Sequence, residues 1–114
     1  MNIQIVRDII TRKDAQEIAK EFYDTMIKGV VDIERGIIAI GGEYHIDANV
    51  VLIEAGSIQK DIWGFNLLFD KTGDEAIEYT SLINIRPQAG NRGMEVEDAD
   101  LRLKMKKIIE KKII

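Results

Sequence analysis

The chain opens on alternating polar and apolar positions over residues 2–6, a period of two that predicts a short strand. Thr11 stands three residues before Asp14, a variant of the capping box that starts a helix. Ala15, Ile18, Ala19, Phe22 and Met26 follow at steps of three and four and so share one face; Gly29 is placed to stop that helix. Residues 30–34 and 37–41 are β-branched runs joined by Arg35-Gly36, and Gly tolerates the positive φ that a tight hairpin turn needs. In this hairpin Val31, Ile33, Ile38 and Ile40 face one way. Asp32 and Glu34 face the other with Ala39, where they would be solvated or functional.

Residues 43–55 carry two patterns. Val50, Val51 and Ile53 favour a strand by propensity. Tyr44, Ala48, Val51, Leu52 and Ala55 fall at helical steps, and Gly56 stands where a helix would end, so the segment is assigned as a helix. Residues 62–69 and 77–86 read as a second hairpin across the polar turn 70–75. Pairing Phe69 with Ile77 sets Trp63, Phe65, Leu67 and Phe69 against Ile83, Ser81, Tyr79 and Ile77. Residues 87–95 form a polar, Gly-containing loop. From about Asp98 a last helix runs to the C-terminus, with Leu101, Met105, Ile108 and Ile109 inward, acids at its start and lysines at its end. The predicted fold is a single α+β domain over residues 1–114: a mainly antiparallel sheet of about five strands with three helices, in the order βα-ββ-α-ββ-α.

Composition narrows the function classes. The chain has 114 residues, 46% hydrophobic and 32% charged, enough for one core beneath a wet surface. A net charge of −4 argues against general nucleic-acid binding. With no cysteine, disulfides, thiolate metal sites and cysteine nucleophiles are excluded. No run suits a signal peptide or a membrane span, so the cytoplasm is expected, with no membrane partner. Isoleucine supplies 21 of the 114 residues, and Lys outnumbers Arg, a bias that suits a hot or AT-rich prokaryote.

Five groups of residues are candidates for chemistry. The segment Arg86-Pro-Gln-Ala-Gly-Asn-Arg92 offers two guanidiniums, an amide and a flexible Gly at a strand-to-helix junction. On an extended strand Asn84 lies on the same face as Arg86, so Asn84, Arg86, Asn91 and Arg92 form a candidate anion-binding patch. The alternative is that the arginines pair locally and Gly90-Asn91 makes a turn. Glu43, His45 and Asp47 include the single histidine and would hold a divalent metal if the segment were a strand. On a helix His45 turns about 200° away from the two acids, and a structural histidine is the simpler reading. Asp32 and Glu34 are a carboxylate pair or a solvated strand. Asn66 and Asn84 interrupt apolar strands, so each is a structural hydrogen-bonder or part of a site. Lys104, Lys106, Lys107, Lys111 and Lys112 suit the wet side of the last helix. No P-loop or dinucleotide spacing is present, and no cofactor is expected.

Gly41-Gly-Glu-Tyr-His-Ile-Asp47, Trp63-Gly-Phe-Asn66, Ser81-Leu-Ile-Asn-Ile-Arg-Pro87 and Gly90-Asn-Arg92 resemble a family of small prokaryotic proteins of unknown function. The resemblance spans nearly the whole chain and implies one domain, with no activity, ligand or catalytic residue to transfer. Two function classes follow from the residues. One is a small ligand-binding or protein-interaction module, alone or as a homodimer, that uses the Arg86 to Arg92 loop with Asn84 and Trp63. The other is an enzyme, a hydrolase or transferase acting on a phosphate-bearing or other anionic substrate. There Arg86 and Arg92 would clamp the substrate and His45 or Asp32 would move the proton, which requires one of these two to meet both arginines in one pocket.

Overall fold

A computed structural model describes residues 1–114. Its elements are β1 (Ile3–Val6), α1 (Arg12–Ala19), β2 (Met26–Asp32), β3 (Ile37–Gly41), α2 (His45–Glu54), β4 (Ile62–Leu68), β5 (Ile77–Glu78) and α3 (Ala99–Lys112). The five strands form one antiparallel sheet in the order β1-β3-β2-β4-β5. This is the α+β architecture the sequence predicts.

The sheet divides two apolar layers because successive strand residues point to opposite faces. On one face Ile27, Val31, Ile38, Ile40, Phe65 and Leu67 meet Ile18 of α1 and Met105 and Ile109 of α3. On the other, Val30, Ile37, Ala39 and Ile62 meet Ala48 and Leu52 of α2. Both sides of β2 and β3 are therefore covered, which explains their near-continuous apolar runs.

Three segments depart from the sequence reading. First, α1 ends at Ala19 rather than running on to Gly29, and Met26 and Gly29 belong to β2. The whole of β2 pairs with β4, from Met26 opposite Leu68 to Asp32 opposite Ile62, and this long-range ladder overrides the local helical spacing. Gly29 is a clearance rather than a stop: a Cβ there would sit 2.5 Å from the Phe65 ring. Second, the turn after β2 spans residues 33–36, and Asp32 is neither solvated nor exposed. It is fully buried, and its Oδ1 accepts from the amides of Glu34 at 3.0 Å and Arg35 at 2.9 Å. Third, Ile77 pairs with Leu67, not Phe69. A shift of two residues preserves the face, so Trp63, Phe65 and Leu67 still enter the core. β5 stops at Glu78, and the chain turns away through a short 3-10 turn, Leu82–Asn84, instead of remaining extended to Arg86.

α2 matches the helix assignment. Gly41 and Gly42 lead into it at positive φ, and Asp47 Oδ2 accepts from the amides of Glu43 at 3.1 Å and Tyr44 at 3.0 Å. α3 starts on Asp98, whose Oδ1 accepts from Asp100 and Leu101. The segment after it clasps the start of the chain. Ile113 bridges Ile10 in parallel, Ile10 donates to Lys112 O at 2.7 Å, and Ile114 donates to Ile10 O at 3.0 Å. No helix is long and apolar enough to cross a membrane.

Candidate functional site

The Arg-Asn-Gly segment is built from backbone contacts. Asn84 is fully buried. Its Oδ1 accepts from Gly64 N at 2.8 Å, and its Nδ2 donates to Gly64 O at 3.1 Å and Tyr79 O at 3.3 Å. Asn91 donates through Nδ2 to the carbonyls of Asn84, Gly93 and Glu95 and accepts from Glu97 N, so its amide is fully engaged. Arg86 donates to the carbonyls of Ile83 at 3.2 Å, Lys60 at 3.2 Å and Ile62. The Arg86 guanidinium also lies 4.2 Å from the centre of the Trp63 ring. Burial pulls Arg86 below the usual guanidinium range, and Asp61 partly offsets this. Arg92 alone of the four is exposed. Here Asn84, Arg86 and Asn91 hold the chain between β5 and α3 in place, using the donors an anion would need.

The acids and the histidine separate as well. Asp47 caps α2, while His45 points inward to the sheet, its Nε2 2.9 Å from Phe65 O. No group of three His, Asp or Glu side chains is arranged to hold a metal ion. Asp32 is enclosed in its turn, and neither it nor Arg86 or Arg92 lines the cavity that holds His45.

That cavity, about 340 Å³, lies on the α2 face of the sheet, where β2 and β4 run beyond the helix. Its polar lining is Lys28, His45, Asn66, Thr80 and Ser81; Tyr44, Ile46, Leu82, Ile83 and Met94 supply the rest. The ladder places Lys28 directly opposite Asn66 and Val30 opposite Gly64. Gly64 is required by the approach of its neighbours, since a Cβ would meet Ser81 Cβ at 2.6 Å and His45 Cδ2 at 3.3 Å. Ser81 Oγ accepts from Ile83 N and sets the 3-10 turn that forms one wall. The segments beginning at Gly41, Trp63 and Ser81 thus converge here.

Burial dominates the electrostatics. It lowers His45 from 6.5 to about 4, assisted by the Lys28 charge and opposed by the Phe65 carbonyl and the Asn66 side chain. The imidazole is therefore neutral at pH 7, and its contact with Phe65 O requires the proton on Nε2. Burial also lowers Lys28, with Glu78 opposing. The Lys28 ammonium lies 5.5 Å from the centre of the Tyr23 ring. Asn66 Nδ2 donates to Glu78 Oε1 at 3.3 Å, whereas Asn66 Oδ1 is buried with no partner. Sequence reasoning flagged Asn66 and His45 but missed Lys28. The signal was present: Lys28 is a single charge inside the apolar run 26–31, and it disappeared when that stretch was read as helix.

The family model described as a protein of unknown function, DUF5674, matches residues 4–112. The chain belongs to the DUF5674 family. No curated protein matches the chain, and no solved structure does. Membership confirms the resemblance read from the sequence and assigns no chemistry to the family fold.

Proposed function

We infer that the protein is a cytoplasmic small-molecule-binding module whose site is the cavity between α2, β2, β4 and the 81–84 turn. One observation carries this reading: the buried His45, Asn66 and Ser81 and the half-buried Lys28 line one cavity whose other walls are mainly apolar. Such a combination of enclosing apolar surface and a few orienting polar atoms is what small-ligand sites share, and about 340 Å³ lies within their usual size. Binding is favoured over turnover because His45 directs Nε2 to a backbone carbonyl and no nucleophile is hydrogen-bonded to it. A fragment screen by protein-detected NMR tests the site. Fragments should shift the amides of residues 45, 66 and 81–83, and Leu82→Arg at the rim should abolish those shifts. Shifts that map elsewhere, or none at all, would remove the proposal.

A second reading, a protein-interaction surface that a second copy could cover, is favoured by the outer face of α2. Ile46, Val50 and Ile53 are at least partly exposed there at helical spacing, beside exposed Tyr44 and Met1. Sedimentation equilibrium of wild type and Val50→Glu decides it. A concentration-dependent mass lost in the variant supports self-association, and a monomer at all concentrations excludes it.

A further inference from the structure

We propose that the open edge of β1 receives a second copy of this chain, paired strand to strand in antiparallel order about a twofold axis at Gln4, so that the two sheets become one. The proposal rests on the self-association reading above and names the edge, the register and the contacts that it uses.

β1 has β3 on one side and no strand on the other. Which of its backbone groups face outward follows from the sheet. Ile33 N donates to Asp61 O and Phe69 N to Thr25 O, each one step beyond the pairs of β2 with β4. Residues in an antiparallel sheet turn alternately to one neighbour and then the other, so these two bonds set the phase of the whole sheet. Val30 and Asp32 bond Ala39 and Ile37, which leaves Ile38 and Ile40 to bond Val6 and Gln4. The N–H and C=O groups of Ile3 and Ile5 therefore point away from the sheet, and no other segment of the chain pairs with them. Sheet edges are commonly guarded by charge, proline or a bulge, and Ile-Gln-Ile-Val carries none of these. The opposite edge is different: β5 has only two residues, and Thr80 just beyond it is bridged to Glu95.

With Gln4 on the axis, Ile3 of each copy exchanges both backbone bonds with Ile5 of the other, so every outward group of these residues is met. The side chains of Ile3 and Ile5 lie on the α2 face, where Met1, Ile46, Val50 and Val51 line a groove beside them. The axis sets the two grooves side by side and covers Met1, Ile46 and Val50, which are exposed in the single chain. Charge selects a copy over an unrelated strand. The next pair on this face sets Arg7 against Met1 of the partner subunit, and Met1 shares its groove with Asp47. Arg7 is exposed and has no acid partner in its own chain. Asp47 spends Oδ2 on the start of α2 and keeps Oδ1 for a cation. The twofold makes this match on both sides of the axis.

The chain contains no cysteine, so one introduced thiol reports on one position. In this register Gln4 meets its own copy as a non-hydrogen-bonded pair, about 4.5 Å between Cα atoms and within the span of a disulfide. Gln4→Cys, oxidised with glutathione disulfide, should therefore run as a linked dimer on a non-reducing gel, whereas Lys104→Cys at an exposed position of α3 should stay monomeric. Ile5→Pro removes an outward donor and no bond of the fold, and should weaken the wild-type dimer at least about tenfold in sedimentation equilibrium. Arg7→Glu should weaken it as well and serves if the proline variant does not fold. A wild-type dimer that neither substitution weakens and that Gln4→Cys does not link overturns the edge assignment, while self-association stands through another face. A wild-type chain that is monomeric at all concentrations removes both.

Discussion

Asn84 ties both backbone groups of Gly64 and the carbonyl of Tyr79 into one buried side chain. Asn84→Ala should therefore lower stability by about 2–4 kcal/mol in urea unfolding, from orphaned backbone groups and a cavity. Arg92→Ala, at an exposed position, should change it by less than about 0.5 kcal/mol. His45 yields a pH dependence whose sign follows from linkage. The unfolded imidazole titrates near 6.5 and the folded one at about 4, so between these values the unfolded chain binds the proton. Stability from this group is complete above about pH 7 and falls as pH drops through that window, by at most about 3 kcal/mol. His45→Gln should remove this part of the slope, read as the difference between the urea midpoints of the two proteins from pH 7 to pH 4. At this scale the sequence showed which residues were unusual but not what they touch. Asn84, Arg86 and Asn91 have the same donors whether they face an anion or a carbonyl, and only the path of the chain between β5 and α3 decides. Asn66 was legible as a polar interruption, and its missing partner became visible only with Glu78 and the α2 face in place.

At the level of elements, α2 depends on its entry. Asp47→Ala removes the acceptor for two amides at the helix start and should cost about 0.5–2 kcal/mol, measured by thermal or urea unfolding. Gly64→Ala forces Ser81 away from β4 and should cost about 1–3 kcal/mol, with the amides of 81–83 shifting in the NMR spectrum. Elements with their own local signals were readable: α2 between its glycines, α3 behind its acidic cap, and the β2–β3 hairpin. The failures have two causes. The C-terminal half of the predicted first helix was lost to β2 pairing with β4, a distant segment that periodicity in a single stretch does not contain. The turn after β2 and the length and register of β5 failed locally, because alternation gives the faces of a hairpin but not where its turn begins and ends. A helical spacing of apolar residues in 15–26 could not reveal that the last of them serves a sheet buried on both faces.

Across the whole molecule, the sheet is a partition: α1 and α3 close one side, and α2 closes only part of the other, leaving the cavity where the sheet extends past the helix. The larger side is sealed by the clasp between residues 10 and 113. Ile113→Ala should cost about 2–4 kcal/mol and speed amide exchange at Ile10 and Ile114, an effect that hydrogen exchange resolves residue by residue. The same clasp orders events in time. Lys112 Nζ reaches Arg7 O at 2.6 Å across a sequence separation of 105, so the ring this contact closes contains nearly every residue. Closing so long a ring costs entropy that shorter rings do not, and its reward comes only once the intervening strands are paired. During synthesis, the opening strand and helix would emerge well before the residues that lock them down. The fold is therefore closed only once residues 112–114 are available, as a single closure, rather than growing outward from its first segments.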